Sequence, residues 1–94
     1  MQARVWCLLG DIYSEKKDHE QAFAYYDKAI QHQPEGASTP VFIFKKARLH
    51  ERLQQYEQAK QCYDDVCALF PKSVFYQTAV KHASRLDTLI KNRQ

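Results

Sequence analysis

Apolar positions recur along this chain at the spacing of amphipathic helices. From residue 3 to residue 15, Val5, Trp6, Leu8, Leu9, Ile12 and Tyr13 return every three or four positions, which predicts a first helix. Lys16 and Lys17 break it. Asp18 with Gln21 three residues on forms a capping box, so a second helix is predicted from about residue 19. It carries Ala22, Phe23, Tyr26, Ala29 and Ile30 on one side and ends before Pro34. Glu35 to Ser38 is the loop-rich stretch of the chain. Thr39 as N-cap and Pro40 in the first turn predict a third helix over 40–53, with Val41, Phe42, Ile43, Phe44, Ala47, Leu49 and Leu53. After Gln54 and Gln55, a fourth helix over 56–69 carries Ala59, Tyr63, Val66 and Leu69 ahead of Pro71. Ser73 is read as the N-cap of a fifth helix reaching about residue 92, whose stripe is Phe75, Ala79, Ala83, Leu86 and Ile90. The expected class is all-α, with five helices.

The first two helices return in the next two. Glu20, Gln21 and Ala22 match Glu57, Gln58 and Ala59; Tyr26 and Asp27 match Tyr63 and Asp64; Pro34 matches Pro71. The offset is thirty-seven residues throughout. Within the first copy, Trp6, Leu9, Gly10 and Tyr13 stand at W-x-x-L-G-x-x-Y spacing, followed by Ala22, Tyr26 and Pro34. These residues resemble the tetratricopeptide repeat, a helix-turn-helix unit that stacks on copies of itself. The resemblance implies a right-handed antiparallel helix-pair solenoid, with repeat one at about 3–36, repeat two at about 40–73 and a capping helix at about 73–92. The usual repeat is about 34 residues, and the surplus is placed in the tripeptide Gly36-Ala37-Ser38. In the second copy Ile43 replaces Trp6, Lys46 replaces Leu9, Ala47 replaces Gly10 and His50 replaces Tyr13, which puts polar groups at apolar positions. Two repeats with a cap at one end only, and Met1 to Ala3 leading straight into Trp6, suggest a piece of a longer protein or a homodimer formed through that edge.

Composition narrows the reading. Of 94 residues, 45% are hydrophobic and 27% charged, with two Gly and three Pro, a globular and helix-rich profile. No apolar run is long enough for a membrane span, and no signal peptide is expected within these residues. Cys7, Cys62 and Cys67 are an odd count with no paired spacing, which argues against a disulfide framework and for a reducing, cytoplasmic compartment. The run from Leu69 to Ser73 also looks like tetratricopeptide repeats of bacterial envelope-assembly proteins, which would place the chain in the envelope had a signal been removed. His19, His32, His50 and His82 are scattered, so no metal is expected, and no cofactor. No cysteine has a histidine at helical contact spacing, so no catalytic residue is assigned and the chain is read as non-enzymatic.

In the resembled family the first helix of each pair lines a concave groove that takes a peptide or a partner's helix. Candidate groove residues are Arg4, Leu8, Asp11 and Glu15 on the first helix, Val41, Phe44, Lys45, Arg48 and Arg52 on the third, and Lys81, His82 and Arg85 on the fifth. Residues 1–40 hold four basic and six acidic side chains, net −2, whereas 41–94 hold ten and five, net +5, together the overall +3. The basic half would attract an acidic or carboxylate-bearing segment. Lys45, Arg48, Arg52 and Arg85 are expected to bind it, with Phe44 as an apolar contact. The plainer alternative is that these cations only keep the surface solvated. Repeats that clamp chaperone C-termini are set aside, because Cys7 and Asp11 stand where such a clamp needs Lys and Asn. Nucleic acid is disfavoured as a partner, since the cations lack dense clustering and interleaved exposed aromatics.

Overall fold

The structure, a computed structural model, describes residues 2–32, 34 and 36–93. Five helices follow one another: α1 Gln2–Glu15, α2 His19–His32, α3 Thr39–Arg52, α4 Tyr56–Leu69 and α5 Tyr76–Arg93, with no strand among the described residues. The all-α expectation holds, and α2 and α4 begin where the sequence places them. Glu35, part of the predicted loop, lies outside the described residues. The chain divides into two compact units, one ending at Lys46 and the other starting at Ala47, so that the division falls inside α3.

The first unit is built on a close crossing of α1 and α2. Ala3, Cys7 and Gly10 form the buried side of α1, and Ala22, Tyr26 and Ala29 that of α2. Small residues at this contact let the helix axes approach, and Tyr26, 3% exposed, fills the remaining space. From α3, Thr39, Pro40, Phe42 and Ile43 are buried as well. Half of the large apolar residues that announced α1 in the sequence face outward: Val5, Leu8 and Ile12 are 52%, 60% and 41% exposed, while Trp6, Leu9 and Tyr13 are half-buried. In the second unit the core is Ala47 and Leu49 of α3, Ala59, Cys62, Tyr63 and Val66 of α4, and Ala79, Ala83 and Leu86 of α5. The outer side of α5, with Gln77, Lys81, Ser84, Thr88 and Lys91, is exposed.

The same turn closes α1 and α3, with every backbone bond repeated thirty-seven residues on. Lys17 N donates to the Ser14 carbonyl and Asp18 N to that of Tyr13; Gln54 N donates to Glu51 and Gln55 N to His50. Lys17 and Gln54 take the left-handed conformation, at φ 65° and 59°. This Schellman arrangement satisfies the last carbonyls of each helix, a job usually given to glycine. The starts of the following helices differ. Asp18 Oδ1 accepts from Gln21 N at 3.3 Å, the predicted cap. Gln55 makes no such bond, because its Oε1 lies 2.7 Å from Nδ1 of His50. His50 is the residue that replaces Tyr13, so the second copy satisfies its polar substitution locally.

Two predicted caps move. The carbonyl of Ser38 accepts from Val41 N and Phe42 N, so α3 starts at Thr39, which is itself buried inside the first turn. Ser73 Oγ accepts from Phe75 N in a local turn, and α5 starts three residues later than expected, at Tyr76.

Candidate functional site

Arg4, Leu8 and Asp11 lie on successive turns of α1 and share one side of it. Val41 and Lys45, four apart, do the same on α3. Together with Cys7, Ser38 and Phe42 they line an open pocket of about 310 Å³ within the first unit. Five of the twelve candidate groove residues, Arg4, Leu8, Asp11, Val41 and Lys45, are therefore brought together. Phe44, also in this unit, is half-buried and does not line the pocket.

Asp11 is the polar centre of this pocket. Its Oδ1 accepts from the Tyr26 hydroxyl at 2.6 Å, and its Oδ2 accepts from Lys45 Nζ at 2.8 Å. Tyr26 rises from the core beside Gly10, and a β-carbon there would stand 2.6 Å from both Cδ1 and Cε1 of the ring. The signature glycine thus lets the tyrosine pass and deliver its hydroxyl to the neighbouring carboxylate. Lys46, the second copy's polar replacement for Leu9, meets Asp27 of α2 at 2.6 Å. Among the described residues, Arg4 has only the neutral Oγ of Ser38 as a hydrogen-bond partner, at 3.4 Å.

The second unit repeats the theme with different residues. Tyr63 donates to Glu51 Oε2 at 2.6 Å, and Arg85 Nη2 donates to Glu51 Oε1, also at 2.6 Å. In both units a buried tyrosine and a solvent-accessible cation grip one carboxylate, and in both the cation stands 34 residues after it. The carboxylate sits next to Gly10 in the first unit and four residues past Ala47 in the second. Buried Ala47 stands at the position of Gly10, and the longer Glu51 is reached one turn further on. Burial works to raise the Glu51 carboxyl, but the hydrogen bonds from Tyr63 and Arg85 outweigh it and hold it below its ordinary value. Burial, then donation to Glu51, holds the Tyr63 hydroxyl protonated well above the usual tyrosine range.

Of the remaining candidates, Glu15 is exposed at the end of α1 and the others lie in this unit. Arg48 and Arg52 are exposed on α3. His82 is half-buried, stacks on Tyr63 with ring centroids 4.9 Å apart and lies 3.2 Å from Arg85 Nη2. Lys81 is exposed beside an open hollow of about 490 Å³ lined also by Gln77, Thr78, Val80 and Ser84. Sequence reasoning missed Glu51, Tyr26 and Tyr63 as charge-holding groups. The recurrence of an acid and a base 34 residues apart was the available signal.

Little here supports bond-making chemistry. Burial, followed by the nearby Asp11, pushes the Cys7 thiol up to about 11, and burial raises that of Cys67. Both are poor nucleophiles at neutral pH. Among the described residues no three His, Cys, Asp or Glu side chains gather to hold a metal ion. No described helix is long and apolar enough to cross a membrane.

Helix pairs closed by the same turn, with an open pocket beside their first members, define a helix-pair repeat protein. The family comparisons say which one: tetratricopeptide repeat models match residues 3–35 and 43–73. Together they cover more than half of the chain, which belongs to the tetratricopeptide repeat family as a two-repeat domain. No curated protein and no solved structure matches the chain. Tetratricopeptide repeats generally mediate protein–protein interaction and are typically non-catalytic.

Proposed function

We propose that this chain is an adaptor whose first-type helices present a binding surface to an acidic or carboxylate-bearing segment of a partner protein. The observation that carries this reading is the pocket between α1 and α3, open to solvent and lined by Arg4, Asp11 and Lys45. Affinity arises from a few apolar anchors and selectivity from the charge pattern around them. Lys45 and Arg85 are each matched by an internal carboxylate, so the surplus positive charge of the C-terminal half is carried by residues such as Arg48 and Lys81. The test is affinity capture by the wild type and by an Arg4→Glu/Arg48→Glu/Lys81→Glu variant, whose changes leave the ion pairs described above intact. A protein retained by the first and released by the second supports the reading. An identical set of captured proteins contradicts the acidic-segment reading.

A second reading is self-association through the outward side of α1. Val5 and Ile12, 52% and 41% exposed, correspond thirty-seven residues on to Phe42 and Leu49, which are 3% and 2% exposed. Positions that are core in one copy are surface in the other, and a contiguous exposed apolar stripe favours association. Sedimentation velocity across a concentration series tests it. A dimer abolished by Ile12→Lys supports it, and a monomer at every concentration excludes it.

A further inference from the structure

The pocket of the first unit has two chemically different ends. At one, the exposed guanidinium of Arg4 touches only the neutral Ser38 hydroxyl and has no carboxylate among the described residues. This end also adjoins the N-terminus of α3, where the helix dipole is positive. At the other end Asp11 and Lys45 cancel each other, and both carboxylate oxygens of Asp11 are already hydrogen-bonded. Between the ends the floor is apolar, formed by Leu8, 60% exposed, over buried Phe42 and Cys7. The pocket is thus cationic at one end, neutral at the other and apolar in the middle.

Arg4 and Asp11 stand two helical turns apart, about 10 Å along α1. An extended peptide covers that distance in about three residues, with side chains two positions apart pointing to the same side. We infer that the pocket takes an extended peptide with an acidic residue at Arg4 and, two positions along, a large apolar side chain seated on Leu8 and Phe42. The inference rests on the reading of α1 and α3 as partner-facing helices, and it names the peptide pattern and moves the charged contact to Arg4. The satisfied Asp11–Lys45 pair sets the far boundary. A basic residue there would meet Lys45, an acidic one would meet Asp11, and neither would find an unmatched partner.

Fluorescence anisotropy with the whole 94-residue chain tests the pattern. The probe is a labelled, amidated heptapeptide in a Gly/Ser background with Asp at its third and Phe at its fifth position. Replacing its Asp by Asn is expected to weaken binding about fivefold, the scale of an exposed ion pair. Replacing its Phe by Gly is expected to weaken it at least about tenfold, through the loss of a buried aromatic. Arg4→Glu should cost the Asp peptide about fivefold and should prefer the same peptide carrying Lys in place of Asp. Arg4 is exposed, so the helical circular dichroism of the variant should match the wild type. Binding that is indifferent to Arg4→Glu overturns the inference, and so does the absence of binding by the Asp/Phe peptide to the wild type. If affinity survives Arg4→Glu but falls in Arg48→Glu/Lys81→Glu, the Arg4 assignment fails while the adaptor reading stands.

Discussion

A β-carbon on Gly10 would lie 2.6 Å from two ring atoms of Tyr26, closer than side-chain carbons pack. The ring has little room to retreat, because it is 3% exposed and its hydroxyl is bonded to Asp11. Gly10→Ala therefore trades a helix-propensity gain of about 1 kcal/mol against overpacking of about 1–3 kcal/mol and a broken hydroxyl bond. The net expectation is a loss of about 1–2 kcal/mol, or a fall in melting temperature of roughly 10 °C by calorimetry. A melting temperature equal to or above the wild type's would show that the ring shifts freely.

The same contact explains what could be read from the sequence alone. Trp6, Leu9, Gly10, Tyr13, Ala22 and Tyr26 announce their helices because each position answers to a packing constraint within one helix pair. The thirty-seven-residue offset then carries that register to α4. The charged partnerships were hidden because they join residues far apart in sequence: Asp11 with Lys45, Asp27 with Lys46, Glu51 with Arg85. Counting charges made the C-terminal half look freely basic, but two of its expected anion-binding cations, Lys45 and Arg85, are held by carboxylates. The caps at Thr39 and Ser73 were misplaced because a hydroxyl followed by Pro or by apolar residues signals a helix start without specifying which residue opens it.

Glu51 should make stability sensitive to acid. Its folded carboxyl is held below the ordinary 4.5, so its contribution is present above that value and is lost as pH falls through the depressed one. Glu51→Gln should flatten the acid limb of a urea-midpoint profile below pH 4.5. Tyr63→Phe should cost about 1 kcal/mol at neutral pH and shrink the acid loss, because the Glu51 carboxyl is then less depressed. Parallel profiles for the wild type and Glu51→Gln would contradict this.

Lys17 and Gln54 hold the left-handed backbone that closes α1 and α3. A non-glycine residue there costs about 1 kcal/mol, part of which glycine returns through its freer unfolded state. Gln54→Gly is expected to be neutral or to stabilise by up to about 0.5–1 kcal/mol in chemical denaturation. Glycine in the interior of α3, at exposed Arg48, should instead destabilise by about 1 kcal/mol. Equal losses at the two positions would refute the distinction.

The cysteines should differ in accessibility. Cys67 is half-buried, whereas Cys7 and Cys62 are buried. A thiol reagent at neutral pH should modify one group ahead of the other two, and peptide mapping should identify it as Cys67. The remaining pair should react fully only after denaturation. Rapid modification of Cys7, whose thiol is pushed up to about 11, would contradict the packing described for α1.

The most direct measurement of the binding account is amide chemical-shift mapping of the whole chain during titration with the Asp/Phe heptapeptide. The expected result is a set of shifts centred on Arg4, Leu8, Val41 and Lys45, with the Arg4 side-chain resonance moving with the same saturation curve. Shifts confined to α4 and α5, or none at saturating peptide, would contradict it.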